Sequence, residues 1–283
     1  MSIQIAVIIP AAGSGNRFAQ ASDGLATEQN KLELDLVGRP VFLRSVELFL
    51  NRPQIIQIIL AVNPTQLDTF NFKYGDKLGF QGVKVVPGGE MERWQTVLNA
   101  LEALKEECSH VAIHDAARPL ASPVLIDRVF ESAERFDAVV PGRPVNATLK
   151  KAAATAEDSE SDADPLDDIL GSAGKSVIEA KRVLETIDRT DVVEVQTPQI
   201  FERKLLRRAY DQIQQGTVDK KGITDDACLV EALGEPVYVV EGEAANLKIT
   251  RPDDLKLAAA FLQAIEQKKA VSLGRKRLFA DDD

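Results

Sequence analysis

Residues 111–120 read VAIHDAARPL: an apolar run of strand character that stops at His114 and Asp115, passes two alanines, and ends in Arg118 and Pro119. Alone, such a stretch is compatible with a strand running into a charged surface loop. The pattern around it gives it meaning. Apolar runs recur at 3–9, 55–62, 83–86, 110–113, 138–140 and 237–240. Between and after them, RPVFLRSVELFLN (39–51), EMERWQTVLNALEALKEE (90–107), SPVLIDRVFESAERF (122–136) and RPDDLKLAAAFLQAIEQ (251–267) carry apolar residues at helical spacing. The third opens with Ser122 as an N-cap and Pro123 at the first helical position. Strands alternating with helices predict βαβ units, hence an α/β fold with a mostly parallel sheet flanked by helices. In such sheets ligands bind outside the carboxyl ends of the strands. Asp115 and Arg118 therefore stand where a ligand is expected.

The alternation lapses from 148 to about 186. NATLKK (146–151) and KRVLETI (181–187) look like two extended segments leaving the sheet and returning to it, a protruding β-arm at about 146–190. Between them, residues 152–174 hold Glu157, Asp158, Glu160, Asp162, Asp164, Asp167 and Asp168 and no Lys or Arg. That composition predicts a solvated acidic loop, and it accounts for most of the net charge of −10. The rest of the chain is near neutral, which leaves room for a local basic site but argues against nucleic acid as a partner. The expected organisation is one domain over 1–268, arm included, and a flexible tail over 269–283.

Cys108 and Cys228 form neither a disulfide framework nor a zinc pattern. His110 and His114 are the only histidines; four residues along a strand span about 13 Å, too far to share an ion. Chemistry here must rest on Asp, Arg and Lys. No apolar run approaches the ~20 residues of a membrane span, and the N-terminal run lacks a basic leader, so the expected location is cytoplasmic.

Three further stretches carry chemistry. PAAGSGNRF (10–18) places Gly13 and Gly15 in a turn able to offer backbone N–H groups to phosphate oxygens. It is neither a Walker loop nor a dinucleotide fingerprint, because Phe18 stands where a third glycine would be. Arg17 and, further on, Lys31 can face polyphosphate. PGGEMERWQTV (87–97) offers Gly88 and Gly89 for close backbone approach, with Arg93 and Thr96 in the first turns of the next helix. EGEAANLKITRPDDL puts Asn246 and Lys248 two apart, on one face if the segment is extended.

Taken in order, PAAGSGNR, a following lysine, GG…ER..TV, HDAARP, TLKK, TIDR, QTPQIF, TDDA and N.KIT.P.DL closely resemble the 2-C-methyl-D-erythritol 4-phosphate cytidylyltransferase family, from about Ile3 to Leu262. The family belongs to the non-mevalonate isoprenoid pathway. HDAARP and TPQ.F are shared with its relatives, the ribitol-5-phosphate cytidylyltransferases. The resemblance implies a Rossmann-like nucleotidyltransferase fold whose arm embraces a second subunit in a homodimer. It implies CTP and a polyol phosphate as substrates and Mg²⁺ as cofactor. It gives Ala11, Ala12, Gly13 and Gly15 the cradling of the CTP phosphates, and Gly89 and Thr96 the cytosine and ribose. Arg17 and Lys31 would hold the triphosphate and the departing pyrophosphate, and Lys248 would stabilise charge at the α-phosphorus. Asp115 would ligate the metal, with Asn246 beside it, and would contact the substrate. Arg118 would bind the sugar phosphate, and Thr148 and Arg189 would reach the partner subunit's substrate. The chain departs from the family pattern in several extra residues between Arg17 and Lys31, in an added Met91, in Thr96 for serine and in Ala147 for aspartate.

The residues suit the implied chemistry. A phosphate monoester attacking the α-phosphorus of CTP is already an anionic nucleophile and needs no general base. It needs cations against anion–anion repulsion, in-line placement and a metal to disperse charge. Two alternatives differ in what they do with CTP: a cytidylyltransferase for another polyol phosphate such as ribitol 5-phosphate, and a catalytically silent nucleotide-binding paralogue.

Overall fold

The computed structural model describes residues 3–13, 30–153 and 180–278, apart from the side chains of 221 and 268–278. Two compact units emerge: 1–143 with 195–283, and 144–194.

The larger unit is built on an eight-stranded sheet, seven strands of which follow one another in the order β10-β5-β9-β4-β1-β2-β3. These are β1 (Ile5–Ala11), β2 (Ile55–Val62), β3 (Val83–Pro87), β4 (His110–Ile113), β5 (Ala138–Pro144), β9 (Gln199–Glu202) and β10 (Tyr238–Glu241). β1 pairs in parallel with β2 and β4, β2 with β3, and β10 with β5. β9 lies antiparallel between β4 and β5. Sequence reading leaves β9 out: four residues between Pro198 and the next helix carry no period of their own, and only its two neighbours define it as a strand.

β1 shows why the sheet is double-covered. Ile5, Val7 and Ile9 enter one core with buried residues of α1 (Val41–Glu47), α2 (Leu67–Phe80), α4 (Pro123–Ala133) and α7 (Pro252–Leu278). Ala6 and Ile8 enter the other, with α3 (Arg93–Leu101), α5 (Arg203–Gln215) and α6 (Ala227–Glu231). Period-two alternation along a strand thus feeds two cores, and apolar residues are needed at every position. The cap at Ser122 forms as expected, its hydroxyl accepting from Leu125 N–H at 3.0 Å.

One local expectation gives way. The helix foreseen over 90–107 stops at Leu101. Gln57 of β2 takes over there: its Nε2 donates to Ala103 O at 2.9 Å and its Oε1 accepts from Lys105 N–H at 2.9 Å. At the other end of the chain, α7 runs on to Leu278. Lys, Ala, Leu and Arg there are good helix formers, and no proline interrupts them.

The strand order 3-2-1-4 reverses at β1, so the crevice between the carboxyl ends of β1 and β4 is the topological switch point where such sheets bind ligands. Ala12 and Gly13 follow β1 there, Gly88 and Gly89 follow β3, and Asp115 follows β4.

The smaller unit contains a two-stranded antiparallel ribbon of β6 (Leu149–Ala152) and β7 (Val183–Ile187), with Leu149 opposite Ile187 and Lys150 opposite Thr186. The unit also contains most of β8 (Val193–Val195). Val183, Leu184, Ile187, Val192 and Val193 are exposed apolar residues of this arm. The acidic stretch lies outside the described residues from 154 onward.

Candidate active site

The carboxyl-end turns of β1, β3 and β4 meet a fourth loop, 246–249, and Lys31. Together they form a cleft lined by Ala12, Gly13, Lys31, Gly89, Arg93, Thr96, Asp115 and Lys248. Lys31 opens a short 3₁₀ turn capped by Asn30, and its Nζ donates to Ile249 O at 3.3 Å. The loop is tied down further by Ile249 N–H to Ala117 O at 2.9 Å.

Asp115 is the electrostatic centre. Lys248 Nζ lies 2.8 Å from Oδ2, Arg118 Nε 3.6 Å from Oδ2, and Arg93 Nε 3.3 Å from Oδ1. Burial favours the neutral acid, but these cations outweigh it and hold the carboxyl well below the usual carboxylate range. Three cations thus converge on this one carboxylate, and Glu90 and Glu92 also line the cleft.

The turn carrying Asp115 is braced from behind. Buried His114 pairs through Nε2 with Arg118 O at 2.9 Å and through Nδ1 with Thr197 Oγ1 at 3.1 Å. A carbonyl only accepts, so the ring proton sits on Nε2 and the Thr197 hydroxyl donates to Nδ1. Thr197 Oγ1 in turn accepts from Asp115 N–H at 3.1 Å. Every donor in this brace is assigned, which fixes the turn's geometry.

The glycines are constrained by space. A Cβ on Gly88 would stand 2.8 Å from Ala12 Cβ and from Thr96 Cγ2, and one on Gly89 would meet the Gln95 side chain and stand 2.9 Å from Thr96 N. Thr96, buried, accepts from Gly89 N–H at 3.0 Å. Gly89→Ala is therefore expected to cost about 1–3 kcal/mol of stability through overpacking, measured by urea unfolding. A variant as stable as the parent would contradict the close approach.

The chain matches the family model described as IspD, 2-C-methyl-D-erythritol 4-phosphate cytidylyltransferase, over residues 5–163 and 162–264. The chain belongs to this cytidylyltransferase family. It is 36% identical over 263 residues to the 2-C-methyl-D-erythritol 4-phosphate cytidylyltransferase of Acidobacterium capsulatum, covering 92% of this chain and 98% of that protein. The solved structure of the 2-C-methyl-D-erythritol 4-phosphate cytidylyltransferase of Thermus thermophilus superposes with a TM-score of 0.63 at 30% identity, over 93% of this chain and 100% of the other. The 4-diphosphocytidyl-2C-methyl-D-erythritol synthase of Anaerococcus prevotii gives 0.66 at 27% identity, over 92% and 99%.

In this member of the family, Ala12, Gly13, Lys31, Gly89, Thr96, Asp115 and Lys248 come together in one cleft. Ala11 ends β1, buried beside them. Gly15 and Arg17 lie outside the described residues. Arg118 is 7% exposed and stands behind Asp115, its Nη1 donating to Asn246 O at 2.8 Å. Asn246 corrects an expectation. It is fully buried and does not line the cleft; its Nδ2 donates to Thr197 O at 2.8 Å and to Gln196 Oε1 at 3.3 Å. The segment is an irregular loop, so two-residue spacing does not put Asn246 and Lys248 on one face. Thr148 and Arg189 are exposed residues of the arm. Sequence reading placed Arg93 in the first turn of its helix without giving it a role, and passed over the Thr197 brace and buried Asp226 as site components. The TPQ and TDDA motifs were visible, but nothing local says what their side chains reach.

His114 makes stability depend on pH. Burial lowers its pKa from 6.5 to about 4, so between those values the unfolded chain binds the proton and the folded one does not. Its contribution is complete above pH 6.5 and is lost as pH falls toward 4, about 3 kcal/mol in all. His110 is shifted the same way, so the measurement compares the parent with His114→Gln. Unfolding free energy should fall less between pH 7 and 4.5 in the variant; parallel profiles would refute the assignment.

Proposed function

We propose that this cleft transfers the cytidylyl group of CTP to the phosphate of 2-C-methyl-D-erythritol 4-phosphate, giving 4-diphosphocytidyl-2-C-methyl-D-erythritol and pyrophosphate. The observation that carries the reading is the cation cluster around Asp115, set at the switch point beside backbone turns with no room for a Cβ. A phosphate oxygen of the acceptor attacks the α-phosphorus of CTP. The bond from that phosphorus to the oxygen bridging toward the β-phosphate breaks, and pyrophosphate carries the electron pair away. No proton needs to be abstracted, which agrees with a histidine sealed at the back of the turn. Lys248 and Lys31 would lower the repulsion between the two anions and follow charge onto the leaving group. Gly89 and Thr96 would lie against the nucleoside.

Asp115 would hold Mg²⁺ or another divalent cation. Mg²⁺ ordinarily takes one or two carboxylates together with substrate phosphates. Among the described residues no trio of His, Cys, Asp or Glu stands as a preformed metal cage, so a single carboxylate suits that donor set. Such an ion, when bound, disperses phosphate charge.

We also propose a homodimer in which the arm brings Thr148 and Arg189 to the partner's substrate; the exposed apolar residues of the arm support a protein contact there. Among the described residues no helix is long and apolar enough to cross a membrane.

The test is pyrophosphate release from CTP with 2-C-methyl-D-erythritol 4-phosphate and with ribitol 5-phosphate, side by side. Turnover with the first and little with the second is expected. Binding of CTP without release, or preference for ribitol 5-phosphate, would overturn the reading.

A further inference from the structure

Arg93 stands between two carboxylates with different surroundings. Its Nε faces Asp115 Oδ1 in the cleft at 3.3 Å, and its Nη1 faces Asp226 Oδ2 at 2.6 Å. Asp226 is 1% exposed and does not line the cleft. Its other oxygen, Oδ1, accepts from the hydroxyl of fully buried Tyr210 of α5 at 2.5 Å. The preceding Asp225 is committed elsewhere: Oδ1 accepts from Cys228 N–H at the start of α6, and Oδ2 accepts from Gln199 Nε2 of β9. The adjacent acids thus split, one holding secondary structure and one reaching inward to the site.

A buried charge pair is a poor way to gain stability, because desolvation offsets most of the attraction. What it supplies is direction. The guanidinium is a rigid plane, so holding it at Nη1 aims Nε. We propose that Asp226 is a positioning residue for cytidylyl transfer, acting through Arg93. Backed by Tyr210, it restricts Arg93 to one contact with Asp115 Oδ1, so that Oδ2 is left to Lys248 and Arg118. Without the charge on Asp226, Arg93 would turn onto Asp115 with two N–H groups, the preferred geometry of an unrestrained arginine–carboxylate pair. The carboxylate would then be drawn away from its partners in the cleft.

The inference rests on the transfer reaction proposed above, and its test separates the two. In the full-length protein, Asp226→Asn keeps size and one acceptor while removing the charge. Its kcat should fall about 10- to 100-fold, the worth of a charge-assisted hydrogen bond, with KM for CTP changed less than about threefold. Tyr210→Phe, which leaves every charge in place, should lower kcat by about 2- to 5-fold. It carries the test if the first variant does not fold. Independently of activity, the Arg93 Nε–H resonance, assigned through Arg93→Lys, should shift in both variants. A purely structural role would lower thermal stability yet leave kcat per folded site within about threefold of the parent in Asp226→Asn, equal to the parent's in Tyr210→Phe, and the Arg93 resonance in place; any of these results overturns the proposal. If the parent itself releases no pyrophosphate, the transfer reading fails, and the resonance alone decides whether Asp226 orients Arg93.

Discussion

Replacing Asp115 by Asn lowers kcat for cytidylyl transfer by about 10²–10³-fold, the cost of losing one preorganised electrostatic group, and leaves the fold in place. The amide is isosteric. The backbone N–H of residue 115 keeps its bond to Thr197 Oγ1, and the His114 brace behind it is untouched. What disappears is the negative charge to which Lys248, Arg93 and Arg118 are all drawn. Those three side chains would repel one another around a neutral amide, and the carboxylate offered to a divalent cation would be gone. Pyrophosphate release over a range of Mg²⁺ concentrations measures the effect, with circular dichroism checking the fold. Near-parental turnover at saturating Mg²⁺ would remove Asp115 from its proposed place at the reacting phosphates.

Lys248→Ala is expected to be as damaging, again by about 10²–10³-fold and chiefly in kcat, because its charge is asked to act on the transition state rather than on bound CTP. Its ammonium is partly exposed, within 2.8 Å of Asp115 Oδ2, on a loop fastened by Ile249 to Ala117. The loop should therefore survive truncation of one side chain. This variant also tests the proposed dimer. If Arg189 serves the partner's site, Arg189→Ala is nearly inactive too, since a bidentate arginine clamp on a phosphate has no substitute. Random re-association of the two variants gives about half heterodimers, each with one site holding both groups intact and one lacking both. About a quarter of all sites should regain activity. If Arg189 acts within its own subunit, no site regains both groups. Absence of rescue, with subunit exchange confirmed by mass spectrometry, would exclude the shared site.

The chain itself determined the alternation of strands and helices, the two-sided core and the edge of the sheet that binds. Each of these rests on local periodicity. Ile5 to Ile9 must be apolar throughout because alternate residues face opposite cores, and HDAARP falls where the last paired residue of β4 hands over to a turn. Residue types also point to a site that works by charge, since the candidate residues are lysines, arginines and an aspartate. Tertiary structure alone decided which charges meet. Arg93 finds Asp226 across 133 residues, and Arg118 finds the Asn246 carbonyl across 128. Gln57 ends α3 from 46 residues away. Asn246 turns inward while Lys248 faces the cleft, because in an irregular loop the backbone follows its fastenings and the period-two rule of a strand does not apply. Loop closure over such distances is selected by the packing of the whole sheet and its helices, and so leaves no periodic trace in the segments it joins.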